Sequence, residues 1–226
     1  MRRYHLLALA ATLAVIAIGS ALPTRAADDK TDSIHLFNGK DLEGWRVYLT
    51  PDDKTKVKPE EVFTVKDGVL ECTGKPFGYL ITKKEYADYK LEVEWKWPDK
   101  AGNSGVFVHV SGPDKIWPKG AEAQLWSGYA GDFWLVDNFK LTVDKTRQDP
   151  KSARHFFRMK TRKPVEKEVG QWNKYEITCK GDTISLVVNG VKVNEGTDAE
   201  ASKGKILLQS EGAPVHFRNI KLTPLK

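Results

Sequence analysis

The chain has 226 residues, of which 40% are hydrophobic and 29% charged, and its formal net charge is +6. Three arginines of that surplus lie within residues 1–26, so the rest of the chain carries 33 basic against 30 acidic side chains. A nucleic-acid partner requires basic residues concentrated on one face, whereas here acids and bases are interleaved. We therefore predict no nucleic-acid partner.

The first 26 residues have the organisation of an export signal. Two arginines precede the apolar run Leu6–Ile18, and small residues at positions 24 and 26 precede a predicted cleavage before Ala27. An apolar run of about 13 residues is too short to span a bilayer. We predict a signal peptide over 1–26, one domain over 27–226, and a periplasmic or secreted protein with no stable membrane insertion after cleavage. No lipid-attachment cysteine ends the run, and an uncleaved N-terminal anchor is the alternative.

Short segments of alternating polar and apolar residues then follow one another, separated by Gly, Asn and Asp. The turn Asp67-Gly68 between two such segments is a strong hairpin signal, whereas Asp144–Gly170 is charged and irregular and predicts a surface excursion. Strands are predicted at 34–37, 45–48, 62–65, 69–72, 79–82, 89–97, 105–110, 121–126, 131–136, 140–143, 175–180, 183–188, 191–194, 205–209 and 215–222. This spacing predicts an all-β fold, a jelly-roll β-sandwich of two antiparallel sheets. A closed barrel is the alternative.

Two of these strands, Gly105–Val110 and Ala121–Trp126, organise the predicted site. Successive side chains of a strand point to opposite faces, so Glu122 and Gln124 share one face while the alanines between them lie on the other. On the same parity, His109 projects from the first strand away from its valines. We predict that this polar face forms the floor of a carbohydrate site.

Several motifs in this order resemble those of the 3-keto-disaccharide hydrolase family, also described as 3-keto-glucoside-1,2-lyase/3-keto-2-hydroxy-glucal hydratase domains. The resemblance covers nearly all of residues 34–225. The motifs are LFNGKDLEGW from Leu36, GVLECTGKPFGYLITKKEYADYKLEVEWKW from Gly68, AGNSGVFVHV from Ala101, EAQLW from Glu122, VGQWNKYEITCKGDTISLVVNG from Val169 and GKILLQSEGAPVHFRNIKLTPL from Gly204. Membership implies a concanavalin A-like jelly roll that acts on an oxidised, 3-keto saccharide.

The family reaction requires a base, an acid and a donor to an enolate oxygen. A ketone at C3 acidifies the C2 hydrogen, the C1 substituent leaves by β-elimination, and water adds to the 2-hydroxy-3-keto-glucal. We predict Glu122 and His109 as the catalytic, proton-transferring residues, because both side chains can titrate near neutral pH. For each, a strand residue with no catalytic task is the alternative.

Substrate-binding candidates are polar or aromatic side chains predicted beside the same face. Arg218 is one, with a structural ion pair as its alternative, and Asn103 is another, with a turn-forming role as its alternative. The full predicted set is Asn103, Gln124, Trp117, Gln209, Glu211 and Arg218.

No metal or cofactor site is legible in the sequence. The histidines after the leader fall at no ligand spacing, although a divalent cation held by loop carboxylates would leave no such signature. Cys72 and Cys179 are predicted as buried residues, with one long-range disulfide as the alternative. A non-catalytic carbohydrate-binding module is the alternative to the enzyme, since it would use the same tryptophan and amide side chains.

Overall fold

A computed structural model of the chain describes residues 33–51, 56–160 and 164–226. The predicted signal peptide lies outside these ranges. The described residues form two nine-stranded sheets in which the strand pairs are antiparallel. We call them the back sheet and the site sheet.

The back sheet carries mostly charged residues on its outer face. Its strands are, in chain order, β1 (Ile34–His35), β3 (Phe63–Lys66), β4 (Val69–Cys72), β7 (Tyr89–Lys96), β11 (Thr142–Val143), β14 (Asn173–Lys180), β15 (Thr183–Val188), β16 (Val191–Thr197) and β18 (Val215–Pro224). Across the sheet the order is β11-β16-β15-β14-β7-β18-β4-β3, with β1 also paired to β18.

The site sheet carries Glu122, Gln124 and Gln209, three of the polar residues singled out in the sequence. Its strands are β2 (Trp45–Leu49), β5 (Gly78–Thr82), β6 (Tyr86–Ala87), β8 (Gly105–Ser111), β9 (Lys119–Gln124), β10 (Phe133–Val136), β12 (Gln148–Asp149), β13 (Ser152–Phe156) and β17 (Lys203–Ser210). Their order is β12-β13-β10-β9-β8-β17-β5-β2, with β6 paired to β17. The architecture is the predicted all-β jelly roll.

The main core lies between the two sheets. Alternate residues of β7 (Leu91, Val93, Trp95) pack against the inner side chains of the site sheet, among them Val106 and Ala123. Burial alternates along β7, as expected for a strand with one face on a core and one toward solvent. A second cluster lies on the outer face of the site sheet and contains Tyr79, Ile81, Phe107, Val110, Val136 and Leu207. This second cluster gives the outer face an apolar floor.

Two predictions about chain organisation are wrong. Residues within Asp144–Gly170 do not all form a surface excursion, because β13 pairs with β10 and widens the site sheet, with Trp134 opposite His155. The loop predicted before residue 62 ends in a one-turn helix, α1 (Pro59–Val62), with proline in its first turn; the other described helix is the 3-10 turn Lys145–Arg147. Within the described ranges, both helices are far too short to cross a bilayer.

A β-bulge in β8 reverses the predicted direction of one side chain. The pairing of β8 shifts between Val108 and Ser111, and His109 adopts a positive φ of 54°. An extra residue in a strand breaks the alternation of faces beyond it. Val110 consequently joins the outer cluster, whereas His109 turns inward beside Tyr89, a residue of the main core.

Candidate active site

A cleft of about 450 Å³ opens on the outer face of the site sheet. This volume falls within the usual range for sites that bind small molecules. The side chains that line the cleft are Asn103, Trp117, Glu122, Gln124, Trp126, Trp134, Val136, Asp137, Arg154 and Glu211. Five of them belong to the set predicted from the sequence.

Glu122 is the deepest ionisable group of the cleft. It stands on β9 between Phe107 of β8 and Trp134 of β10, and only 5% of its surface is exposed. Its Oε1 is buried and has no hydrogen-bond partner among the described residues. Burial, and secondarily the charge of Glu211, raises the pKa of Glu122 well above the usual 4.5. The raised pKa favours the protonated form of Glu122, whose carboxylic acid can donate a proton to a ligand.

Glu211 is the second carboxyl group of the cleft. It follows the end of β17 and accepts a hydrogen bond of 2.7 Å from Nδ2 of Asn103. Burial raises the pKa of Glu211 to about 7. At neutral pH this group is close to half ionised, which suits a general base. Asn103 holds it in place, and the Oδ1 of Asn103 is buried without a partner in the described chain.

Two glutamine side chains contribute amides to the same region. Oε1 of Gln124 accepts hydrogen bonds of 2.8 Å from the backbone N–H groups of Leu125 and Trp126, so the Nε2 end is left for a ligand. Gln209 does not line the cleft, but its strand neighbour Leu207 lies on the cleft side of the sheet. Both amide atoms of Gln209 are buried and, in the ranges that the structure covers, unpartnered.

Three tryptophans surround the cleft, and each contacts another ring. Trp117 is 38% exposed and lies 6.4 Å from the ring of Phe77. Trp126 is 46% exposed and stacks on Tyr129, with the ring centroids 4.5 Å apart. Trp134 stacks on His155 at 4.4 Å, with the rings 8° from parallel. Trp126 and Trp134 are each stacked on a protein ring on one face, whereas Trp117 is tilted against Phe77. Exposed aromatic faces of this kind can pack on the apolar face of a sugar ring.

The structure does not bring His109 into the cleft. The bulge of β8 buries it completely against Tyr89, and both of its ring nitrogens lack partners among the residues described. Burial lowers the pKa of His109 to about 4, against the opposing charge of Asp88. The prediction that His109 shares a face with Glu122 is wrong, because the bulge interrupts the alternation on which that prediction depended.

Arg218 is also far from the cleft. It lies on β18 of the back sheet, where its Nε donates to Oε2 of Glu94 at 2.7 Å and its guanidinium covers the ring of Trp172. The alternative interpretation of Arg218 as a structural ion pair is the one that the structure supports. The structure does not support the substrate-binding interpretation of Arg218, because β18 pairs with β7 and β4 of the back sheet.

Sequence reasoning missed Trp134 and Arg154, which both line the cleft. The signal for Trp134 was available, since β9 and β10 form a hairpin in which Trp134 pairs with Glu122. Arg154 gave no local signal. Its strand, β13, joins the site sheet by pairing with β10, about twenty residues earlier in the chain, and with β12.

Neither a metal cluster nor a disulfide is found in the described parts of the chain. No three His, Cys, Asp or Glu side chains in those ranges are arranged to hold a metal ion. Cys72 and Cys179 are buried free thiols. Burial raises the pKa of Cys72 to about 11 and that of Cys179 to about 12, so both thiols are inert at neutral pH.

Together, the two-sheet fold and a cleft with two carboxyl groups and three tryptophans define a carbohydrate-active β-sandwich protein. A family model described as a 3-keto-alpha-glucoside-1,2-lyase-like domain matches residues 32–223. The chain belongs to this family, as its motifs predicted. A comparison with proteins of curated function found no match.

Solved structures similar to this chain include two candidate glycosyl hydrolases from Parabacteroides distasonis. The first is 25% identical, with a TM-score of 0.61, and the match covers 86% of this chain and 94% of that one. The second is 24% identical, with a TM-score of 0.59 and coverage of 85% and 99%. A β-glucanase from Bacillus licheniformis is 12% identical over 86% of this chain and 98% of its own, with a TM-score of 0.51. The last two similarities concern the fold alone.

Proposed function

We propose that this protein cleaves glycosides whose sugar is already oxidised at C3, by β-elimination at C1 followed by hydration. The observation that carries the proposal is the pair of carboxyl groups, Glu122 and Glu211, in one cleft. Burial raises the pKa of both, that of Glu211 to about 7 and that of Glu122 well above 4.5. Two carboxyl groups in one cleft, each with its pKa shifted by its surroundings, can serve as an acid and a base.

In the proposed reaction Glu211 is the base and Glu122 the acid. The Glu211 carboxylate takes the proton from C2, and the electrons of that C–H bond form an enolate with the C3 ketone. The C1–O bond then breaks, and Glu122 gives its proton to the departing oxygen. Water adds to the resulting double bond, with the hydroxyl going to C1 and a proton returning to C2. Atoms and charge balance without an oxidant, because the ketone is present from the start.

The remaining polar groups of the cleft would bind the sugar. Asn103 fixes Glu211 through the 2.7 Å hydrogen bond and offers its unpartnered Oδ1 to a hydroxyl. Gln124 would donate through Nε2, and the guanidinium of Arg154 is the cation of the lining that could stabilise an enolate oxygen. The buried amide of Gln209 would support the cleft from below. Trp117 and Trp126 would stack on the rings of the substrate.

Direct hydrolysis of an unoxidised glycoside fits these groups less well. A retaining glycosidase also uses two carboxyl groups, but one of them must be ionised to act as the nucleophile. Burial favours the protonated form of Glu122, and the next side chain on the same face of β9 is the amide of Gln124. β9 therefore supplies an acid to the cleft but no nucleophilic carboxylate.

A non-catalytic carbohydrate-binding module is the second candidate. The three supported tryptophan rings favour it, because stacking platforms serve binding as well as catalysis. A module of this kind has no use for a buried carboxylic acid without a protein partner. Such a group costs stability unless a ligand or a reaction requires it.

Two chromogenic substrates separate these functions. The purified protein is incubated with p-nitrophenyl 3-keto-glucoside and, separately, with p-nitrophenyl glucoside. Release of p-nitrophenol is followed by its absorbance at 400 nm over a period on the order of minutes. Release from the keto substrate alone supports the lyase, whereas release from the parent glucoside supports direct hydrolysis. Release from neither, with retained sugar binding, supports the binding module. A parallel series with EDTA tests whether a divalent cation assists.

We also propose that the protein is exported to the periplasm or secreted, on the basis of the predicted signal peptide over residues 1–26. N-terminal sequencing of the protein recovered from its native compartment is expected to begin at Ala27. Recovery of Met1 in a membrane fraction would instead support the uncleaved anchor.

A further inference from the structure

His155 lies beside Trp134, outside the cleft lining, and its imidazole ring is hydrogen-bonded to a carboxylate on each side. Its Nε2 is 2.7 Å from Oδ2 of Asp132, and its Nδ1 is 3.0 Å from Oδ2 of Asp149. A neutral imidazole has one N–H and cannot donate to two carboxylates. The doubly protonated, positively charged form satisfies both contacts, with one N–H donating to each carboxylate, and, against the opposing effect of burial, the two aspartates raise the pKa of His155.

The charged ring is stacked against a residue of the cleft. His155 and Trp134 lie on paired strands, with ring centroids 4.4 Å apart and planes 8° from parallel. The edge of Phe157 covers His155 from another side at 4.6 Å. A cation on the face of an indole is attracted by the ring electrons, so this contact fixes the plane of Trp134.

The indole N–H of Trp134 is an unpaired buried donor in the part of the chain that the structure describes. Its Nε1 is buried and finds no acceptor among residues 33–51, 56–160 and 164–226. The same side chain lines the cleft and pairs across the sheet with Glu122. A buried donor without a protein acceptor is costly unless a ligand supplies one.

We propose that His155 is a positioning residue, which clamps Trp134 so that the indole N–H donates a hydrogen bond to an oxygen of the bound saccharide. His155 does not line the cleft, so it acts on the ligand indirectly, first through Trp134. The identity of the ligand rests on the proposed function, whereas the contact between the two rings does not.

Asp132 also connects His155 to the loops around the cleft. Oδ1 of Asp132 accepts the backbone N–H of Arg158 at 2.7 Å, and the side chain of Arg158 donates to the carbonyl of Gly128. The loop that carries Trp126 is thereby fixed to the strand that carries His155. Substitution of His155 is therefore expected to displace Trp134 most, and the loop that carries Trp126 to a smaller extent.

A double-mutant cycle on kcat/KM for p-nitrophenyl 3-keto-glucoside tests the inference. Trp134→Phe keeps an aromatic face but removes the N–H, and is expected to lower kcat/KM about tenfold, the loss of one hydrogen bond. His155→Gln is expected to lower it by a similar factor, and the double variant to be no worse than either single one. Multiplicative losses in the double variant would overturn the inference, because independent sites are additive in free energy.

The indole N–H resonance of Trp134 gives a readout that needs no turnover. The ¹H–¹⁵N spectrum of the wild-type protein should show this resonance, assigned by its loss in Trp134→Phe, as one sharp peak. His155→Gln should broaden or displace it, while His35→Gln, a matched change on the back sheet, should not. An unchanged peak in His155→Gln would overturn the clamp, even if the wild-type protein is an active lyase. If the wild type releases nothing, the proposed function fails and this peak still decides the clamp.

Asp149→Asn provides a second variant should His155→Gln fail to fold. The amide oxygen can still accept from Nδ1 of His155 while one negative charge is lost, so a smaller displacement of the same resonance is expected. An unmoved Trp134 resonance in Asp149→Asn would count against the clamp.

Discussion

Glu122 lies directly over Gly105 on the neighbouring strand. Its carboxyl carbon is 2.9 Å from the position that a Cβ at residue 105 would occupy, so the absence of a side chain at 105 makes room for the proposed acid. We expect Gly105→Ala to push the Glu122 carboxyl group aside and to lower kcat/KM about tenfold or more. Steady-state kinetics on the keto substrate measures this.

Thermal unfolding is expected to change little in Gly105→Ala, since the displaced atoms are the flexible end of one side chain. Gly120→Ala is the matched control on β9, where the nearest atom to an added Cβ is 3.1 Å away and belongs to Val108. It should keep near-normal activity. Equal losses in both variants would mean that strand distortion, and not Glu122, explains the effect.

The pKa of Glu211 predicts how kcat/KM depends on pH on the acidic side of the pH–rate profile. This pKa is raised to about 7 by burial, and a base must be ionised, so kcat/KM should rise with pH and level off above about 7. Removing the base in Glu211→Gln should lower kcat about 10²–10⁴-fold and remove this pH dependence. Asn103 can still donate to the new amide oxygen, which keeps the fold. A wild-type profile that is flat from pH 5 to 8 would exclude Glu211 as the base.

The same shift makes Glu211 a cost to stability above neutral pH. The pKa of Glu211 is higher in the folded state, about 7, than its ordinary value of 4.5, so the folded protein binds more protons between those values. Its contribution is most favourable below pH 4.5 and declines as pH rises through 7. At pH 8 the free energy of unfolding of Glu211→Gln, measured by denaturant titration, should therefore exceed that of the wild type. The expected difference is on the order of 1–2 kcal/mol after discounting for the partial solvent contact of Glu211. At pH 4 the two should coincide; a wild-type advantage at pH 8 would contradict the assignment.

His109 is expected to matter for folding and not for turnover. It is buried at a positive φ of 54°, a conformation that Asn tolerates better than most residues. His109→Asn should lose about 1–3 kcal/mol of unfolding free energy, because it leaves a void beside Tyr89. Its kcat should stay within about threefold of the wild type. A loss of kcat comparable to that expected for Glu211→Gln, with the fold intact, would restore a catalytic role for His109.

The contrast between Glu122 and His109 shows where reasoning from the sequence succeeds. Alternation along β9 correctly places Glu122 and Gln124 on one face, because that strand is regular. Along β8 the same rule fails at His109, since a bulge depends on how the strand pairs with β9 and β17 and leaves no mark in its own residues.

Long-range pairing also explains what the sequence could not supply. Arg218 lies in the back sheet because β18 pairs with β7, about 120 residues earlier in the chain. Arg154 reaches the cleft because β13 pairs with β10 and extends the site sheet. The fold class was easier to predict, since many short alternating segments allow few architectures. The motif order was sufficient to indicate the family.

Deuterium incorporation at C2 tests the proposed elimination most directly. The keto substrate is cleaved in D₂O, and the 3-keto sugar formed at early times is examined by NMR and mass spectrometry, beside authentic product incubated without protein. Glu211 is proposed to remove the C2 hydrogen, and the hydration step then adds a deuteron from the solvent at C2. The enzymatic product should therefore carry deuterium at C2, whereas authentic product incubated without protein should not. Cleavage of the C1–O bond with the original hydrogen retained at C2 would contradict the elimination.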